Sequence, residues 1–155
     1  MTPDAAGAPY FFAARTVASE QNADPNVRVR LLLGAIAERP GDAAVRRLLF
    51  LAALESRQYH VALAANRRAD GVDATDVETA AGMAEAHQQI GEPAEAVRLF
   101  GIAASLEKDT PRRQALEEKQ KQAQAASDRL LENERRRPVM RADVDQPDAV
   151  RRRLP

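Results

Sequence analysis

Apolar residues recur at helical spacing along most of the chain, and residues that favour a helix start precede each apolar stretch. Asp24 stands directly before Pro25, and prolines also stand at positions 93 and 111. Proline is favoured in the first helical turn, where its missing N–H leaves no hydrogen bond unmade. Thr75 and Glu78 have the spacing of a capping box, which predicts Thr75 as an N-cap. The predicted starts form two series, one near positions 25, 58 and 92 and one near positions 42 and 75. This spacing predicts repeated helix pairs with a period of about 34 residues.

Alignment of three blocks, 9–42, 43–76 and 77–110, brings small and aliphatic residues into register. At one bulky position the first and third blocks have Leu32 and Phe100, whereas the middle block has Asn66. Because most aligned positions are apolar, we expect them to pack the helices together. The residues predicted to pack are Val29, Ala35, Leu49, Phe50, Tyr59, Ala62, Leu63, Ala69, Met83, Gly91, Ala96, Val97, Phe100 and Ala103.

This pattern resembles the tetratricopeptide repeat. The third block carries the resemblance best, with Gly91 in the turn, Ala96 and Ala103 at the small positions and Phe100 at the aromatic position. The resemblance covers residues 9–110 and implies an all-α fold, a right-handed α-solenoid of about three helix pairs. The concave face of such a solenoid is lined mainly by the first helix of each pair. The alternative is an ordinary helical bundle whose alanines reflect only the composition.

The small residues of the third block have a physical explanation. Ala96 and Ala103 are seven residues apart and therefore lie on one helix face, where they let a neighbouring helix approach closely. Gly91 can adopt the positive φ that a tight turn between helices requires.

Outside the blocks, the chain has a short N-terminal extension (1–8), a charged helical stretch (111–137) and a tail (138–155). Leu116, Ala123 and Leu130 recur every seven residues in the helical stretch, a line too thin for a coiled coil. We expect this helix to cap the last pair, because an end pair of a solenoid otherwise exposes its packing surface. The tail has three prolines and no periodicity, which predicts an extended segment.

Charge is distributed unevenly, although the whole chain is formally neutral. Residues 1–111 have a net charge of −4 and residues 135–155 a net charge of +4. The basic triplets at 135–137 and 151–153 have no interleaved aromatic residues, which disfavours nucleic acid as a partner. The chain has no cysteine, no apolar run of roughly 20 residues that could span a membrane, and no visible signal peptide. We expect a soluble protein, cytoplasmic by default, with an exported mature form left open.

Catalytic patterns are missing from the sequence. It has no phosphate-binding loop, dinucleotide fingerprint or nucleophile elbow, and its two histidines, His60 and His87, do not form a zinc-binding motif. Asp70, Asp73 and Asp76 lack the alternating spacing of a calcium loop and are better explained by turns and helix capping. We therefore predict neither an enzyme nor a cofactor or metal site.

Residues on the first helices are the candidate binding site, given the resemblance. The predicted groove residues are Tyr10, Val17, Glu20, Gln21, Arg47, Leu51, Glu55, Glu78, Glu85, Gln88 and Gln89. Their glutamates favour a basic, extended ligand, although a solvated helix face explains them as well. The tail is one basic extended segment, and it could bind across the repeats, on a second copy or on another protein. Its predicted apolar anchors are Val139, Met140, Val144, Val150 and Leu154.

Together these patterns predict a non-catalytic scaffold that binds another protein or an extended peptide segment through the groove, the tail or both. The alternative is a structural subunit of a larger assembly, contacted through the C-terminal helix and tail.

Overall fold

The computed structural model describes Thr16 and residues 23–68, 71–72 and 76–137. Six helices begin and end within these residues: α1 (Pro25–Glu38), α2 (Ala43–Glu55), α3 (Tyr59–Asn66), α4 (Val77–Gln89), α5 (Pro93–Leu106) and α6 (Thr110–Arg136). A two-residue antiparallel pairing follows α3, in which β1 (Arg67–Arg68) pairs with β2 (Gly71–Val72). The all-α prediction is confirmed for the described residues, apart from this short pairing.

Helix starts follow the predicted period. Alternate helices begin at steps of about 34 residues, both in the series α1, α3, α5 and in the series α2, α4, α6. Aspartates cap three of these starts: Asp24 accepts from the Asn26 N–H, Asp42 from the Val45 N–H and Asp76 from the Thr79 N–H.

The N-cap of α4 is Asp76, and the prediction of Thr75 is wrong by one residue. The Asp76 carboxylate accepts hydrogen bonds from both the backbone N–H and the hydroxyl of Thr79, at 2.9 and 2.8 Å. Two hydrogen bonds from one residue outweigh the single bond that a threonine hydroxyl could accept at position 75.

The turns inside the second and third helix pairs have the same backbone structure. The Gln58 N–H donates to the Ala53 carbonyl and the Glu92 N–H to the His87 carbonyl, at 2.8 and 2.9 Å. Both bonds belong to a helix end in which one residue adopts a left-handed conformation. That residue is Gly91 in the third pair, with φ of 84°, as predicted, and Arg57 in the second pair, with φ of 58°.

Each helix packs against the next one along the chain, from α1 to α6, and the contact between α3 and α4 is the sparsest. The core is continuous through the described helices, with Phe50, Phe100, Leu32, Met83 and Leu99 as its largest buried side chains. Of the residues predicted to pack, nine are buried: Val29, Ala35, Leu49, Phe50, Ala62, Met83, Ala96, Phe100 and Ala103.

The other five predicted packing residues are not among the buried ones. Tyr59, Leu63 and Val97 are half-buried, Gly91 is exposed in its turn, and Ala69 lies outside the described residues. Helix α3 has eight residues, whereas α1 and α5 each have 14. It ends at Asn66, the position where the other two helices have a buried leucine or phenylalanine.

Helix α6 packs on α5 through Leu116 and Ala123, the two residues of this helix that are buried. Positions 128–136 of α6 are all exposed, so its C-terminal end extends beyond the packed body. No helix in the described part of the chain is long and apolar enough to cross a bilayer. Residues 1–8, the tail 138–155 and nearly all of the predicted first helix of block 9–42 lie outside the described residues.

Candidate binding surface

Helices α2, α4 and α6 contribute to two neighbouring cavities, and we call their shared face the α2–α4–α6 surface. The first cavity has a volume of about 310 Å³ and is lined by Leu54, Glu55, Arg57, Tyr59, Glu85, Gln88, Gln89, Lys119 and Gln122. The second has a volume of about 550 Å³ and is lined by Val77, Glu78, Glu107, Arg112, Ala115, Leu116 and Lys119. Lys119 lines both cavities, so they adjoin along α6.

Most of the predicted groove residues in the described part of the chain lie on this surface. Glu55, Glu85, Gln88 and Gln89 line the first cavity, and Glu78 lines the second. Leu51 is half-buried in α2 and packs against the core. The predicted groove residues Tyr10, Val17, Glu20 and Gln21 lie outside the described residues.

Three of the four glutamates that line the two cavities are paired with cations from neighbouring helices. Glu55 pairs with Arg28 of α1, and Glu85 pairs with Lys119 of α6. Glu78 Oε2 lies 2.7 Å from a guanidinium nitrogen of Arg47. Glu107, which also lines the second cavity, accepts from the Asp109 N–H instead. Because three of the four carboxylates are paired with a cation, the described part of the surface is less acidic than the sequence alone predicted.

Arg47 ties α2 to the start of α4. Its guanidinium donates to Asp76 at 3.0 Å, to Glu78 at 2.7 Å and to the Thr79 hydroxyl at 3.2 Å. The hydrogen bond to Asp76, together with the charge of that carboxylate, raises the pKa of Arg47 above its ordinary value. Partial burial acts to raise the pKa of Asp76, but hydrogen bonds from Thr79 and Arg47 outweigh it and hold that pKa below its ordinary value. Arg47 therefore acts first as a link between two helix pairs.

The two cavities differ in chemistry. The first presents the side-chain amides of Gln88, Gln89 and Gln122, each of which can both donate and accept hydrogen bonds. It also contains Arg57, which makes no ion pair with any described residue. The second cavity has an apolar wall of Val77, Ala115 and Leu116. One end of the surface thus suits polar backbone or a carboxylate, and the other suits an apolar side chain.

A third cavity, of about 420 Å³, lies between α3, α4 and α5 and includes His60, Met83, His87 and Glu92. His87 Nδ1 lies 2.7 Å from Glu92 Oε2, and the His87 side chain is only 15% exposed. His87 therefore fixes the turn between α4 and α5, as well as packing inside the third pair. Within the described residues, no three His, Cys, Asp or Glu side chains are grouped so that they could hold a metal ion.

The sequence analysis did not place α6 on this surface, although the repeat period of about 34 residues predicts which α6 residues would lie there. The residues one period after Glu78, Ala81, Glu85 and Gln88 are Arg112, Ala115, Lys119 and Gln122. All four of these α6 residues line one of the two cavities. The same step from Gly91 back to Arg57 predicts the second left-handed turn residue.

Comparison with protein-family models and with curated proteins found no match for this chain.

Proposed function

We propose that this chain is a non-catalytic scaffold of the tetratricopeptide type, which binds an extended segment of another protein along the α2–α4–α6 surface. The observation that carries the proposal is the pair of adjoining cavities along three helices that begin one repeat period apart. In this arrangement α2, α4 and α6 form the concave face of a right-handed solenoid. Cavities of roughly 300–1,000 Å³ are the usual size for small-molecule sites, so each of these two has room for side chains of a bound segment.

The ligand chemistry follows from the two cavities. An extended segment has unpaired backbone N–H and C=O groups, which the amides of Gln88, Gln89 and Gln122 can satisfy. An apolar side chain a few residues along the segment fits against Val77 and Leu116 in the second cavity. Burying one such side chain contributes about 1.5–3 kcal/mol, which is a factor of roughly 10–150 in affinity. The paired charges set the orientation of the segment more than the strength of binding.

Site-specific photocrosslinking in the native cell tests the proposal. A photoreactive benzophenone residue replaces Ala115, which lines the second cavity, in one variant. It replaces Ala94 of α5, which is exposed and lines neither of the two cavities, in the matched control. We expect position 115 to capture one defined peptide of another protein and position 94 to capture little of it. Equal capture of the same peptide from both positions would contradict binding along this surface.

A second candidate function is that of a structural subunit whose C-terminal helix and tail contact a larger assembly. The exposed end of α6 favours it, because Leu131 is 52% exposed there and three arginines stand at positions 135–137. Photocrosslinking distinguishes the two candidates. A subunit of this kind gives crosslinks to its neighbours from Leu131 and none from Ala115.

A further inference from the structure

The face of α6 that lines the cavities continues beyond them toward the C-terminal end of the helix. Residues seven and 11 positions apart share a helix face, so Arg129 lies in line with Gln122, and Leu130 in line with Lys119. Leu130 is 47% exposed, and Arg129 makes no ion pair with any described residue. Past the first cavity, the α2–α4–α6 surface therefore offers an apolar contact and a cation.

The chain that follows α6 has the length to return along this face. From Arg137 back to Gln122, α6 covers about 22 Å at 1.5 Å per residue. An extended chain covers about 3.3 Å per residue, so about seven residues match that distance. With two or three further residues to reverse direction, positions near 146 reach the first cavity. The segment 138–155 is long enough to continue to the second cavity.

A segment that returned along α6 with this rise would bring particular residues of 138–155 level with groups on the surface. Asp143 would come level with Arg129, about 12 Å from the end of α6. Asp145 and Asp148 then come level with the first cavity, where Arg57 lacks an ion-pair partner among the described residues. Val150 falls next, toward the apolar wall of the second cavity. In this arrangement the aspartates come level with cations, and Val150 comes level with an apolar wall.

We propose that residues 138–150 bind, in the same molecule, along the α2–α4–α6 surface, antiparallel to α6, with Asp145 and Asp148 at Arg57 in the first cavity. This inference rests on the proposed function, since it assigns an occupant to the same surface. The segment then competes with the segment of the partner protein and lowers its apparent affinity. Pro147 supports the fit, because proline favours extended backbone and removes one N–H that would need a partner.

The segment should bind within its own molecule and not to a second copy, because tethering gives it a high effective concentration at the site. A tethered segment whose reach matches its site has an effective concentration in the millimolar range, which a second copy reaches only at comparable protein concentrations. Weak contacts from three aspartates and one apolar side chain are therefore sufficient within one molecule. The net charge of 138–155 is only +1, because four arginines oppose three aspartates, and the acidic part precedes the arginine triplet.

Disulfide trapping in the full-length chain tests the proposal, since the natural sequence has no cysteine. One variant carries Gln122→Cys with Gln146→Cys, and the matched control carries Gln124→Cys with Gln146→Cys. Gln122 lines the first cavity, whereas a residue two positions along the helix is rotated by about 200° and faces away from it. With oxidised glutathione as oxidant, we expect the 122–146 bond to form at least ten times faster than the 124–146 bond. The product should have the mass of a monomer.

A charge variant tests the contact with Arg57. Arg57→Gln in the 122–146 background should slow disulfide formation several-fold, and 0.5 M salt should have a similar effect. Arg30→Gln is the control, because Arg30 is exposed on α1, away from both cavities, and makes no ion pair with any described residue.

Three results would overturn the inference: equal rates for the 122–146 and 124–146 pairs, a disulfide-linked dimer as the main product, or an unchanged rate in Arg57→Gln. The proposed function fails separately, when the photoreactive residue at position 115 captures no other protein even after residues 138–155 are deleted. Capture of another protein together with equal disulfide rates would keep the function and remove the occupant.

Discussion

The second and third helix pairs, α2–α3 and α4–α5, start alike and end differently. Their first helices have 13 residues each, and their turns make the same backbone hydrogen bonds one repeat period apart. The second helix has 14 residues in the third pair but only eight in the second pair. Helix α5 buries Pro93, Ala96, Leu99, Phe100, Ala103 and Ala104, whereas α3 buries only Ala62 and Ala65.

One position accounts for much of this difference. Phe100 is fully buried in α5, whereas Asn66, at the same place in the preceding repeat, is half-buried and ends α3. Asparagine has a lower helix propensity than leucine and cannot fill an apolar space without leaving polar atoms to satisfy. Asn66 donates to the Met83 sulfur at 2.8 Å, which is a weak acceptor. The comparison shows that the period fixes where a helix begins, while packing decides how far it continues.

The largest expected effect comes from truncating these two positions. Phe100→Ala should lower the free energy of unfolding by about 3–5 kcal/mol, because it leaves a cavity in a closed core. Asn66→Ala should lower it by less, about 1 kcal/mol, because alanine has the higher helix propensity and the half-buried Asn66 side chain leaves a smaller cavity than Phe100 does. Urea denaturation followed by circular dichroism measures both. Equal losses at the two positions would show that α3 packs as tightly as α5.

Two glycines of the third pair, Gly82 in α4 and Gly101 in α5, should also respond differently to alanine, because Gly82 faces the second pair and Gly101 faces α6. A Cβ on Gly82 would lie 2.7 Å from Leu54 Cδ1 and 3.0 Å from Phe50 Cζ, so the buried Phe50 ring would have to move. A Cβ on Gly101 would meet only the amide end of Gln120, at 2.8 Å, and that end can rotate away. Gly82→Ala should therefore lower the free energy of unfolding by about 1–2 kcal/mol. Gly101→Ala should raise it by about 0.5 kcal/mol through helix propensity.

Thermal and urea unfolding of the two glycine variants check this prediction, with the natural chain as reference. A stabilising Gly82→Ala would mean that α2 and α4 are farther apart than their side-chain contacts indicate. The second and third pairs would then pack loosely through both helices of the second pair, since the contact between α3 and α4 is also sparse.

Much of the fold could be predicted from the sequence because its signals are local. A proline or aspartate at a helix start acts on the first turn alone, so Asp24 and Pro93 could be recognised without knowing what they pack against. The early end of α3 was harder to predict. Asn66 was recognised as an exception to the repeat, but its effect on helix length depends on the space around Met83, which no local pattern contains.

The candidate site was predictable in position and not in charge. Helical spacing placed Glu78 and Glu85 on one face, and the structure places both beside α6. Their partners, Arg47 and Lys119, are distant in the sequence, and only the packing of the helices brings them together. An ion pair between distant residues requires a known arrangement of helices, so the sequence could not show that these carboxylates are neutralised.

Substitutions of the two left-handed turn residues should change the free energy of unfolding by smaller amounts and in opposite directions. Gly91→Ala should lower the free energy of unfolding by about 1 kcal/mol, because an L-residue at φ of 84° is strained. Arg57→Gly should raise it by about 0.5 kcal/mol, since relief of strain is partly offset by the greater entropy of glycine in the unfolded chain. Urea denaturation of both variants measures the difference. A destabilising Arg57→Gly would show that the Arg57 side chain stabilises the fold through contacts on the α2–α4–α6 surface.

The smallest expected effect comes from removing the charge of Asp76, whose ion pair with Arg47 links the second and third helix pairs. Asp76→Asn keeps a good N-cap but removes the charge, so it isolates the electrostatic part of the link. Because the folded-state pKa of Asp76 lies below its ordinary value, its contribution is present above the unfolded pKa of about 4 and is lost as the pH falls below it. The Asp76 side chain is 42% exposed, so solvent screening limits the contribution to about 0.5 kcal/mol.

Urea denaturation of the natural chain and of Asp76→Asn should therefore differ by about 0.5 kcal/mol at pH 7, and this difference should nearly vanish at pH 2.5. Glu95→Gln is the matched comparison, because the hydrogen bond from Arg98 also lowers the pKa of Glu95 but joins two residues of the same helix. Hydrogen exchange separates the two variants. Asp76→Asn should increase exchange at the start of α4, where the second and third pairs meet, whereas Glu95→Gln should affect only the start of α5. Similar exchange in both variants would mean that Arg47 does not hold the two pairs together.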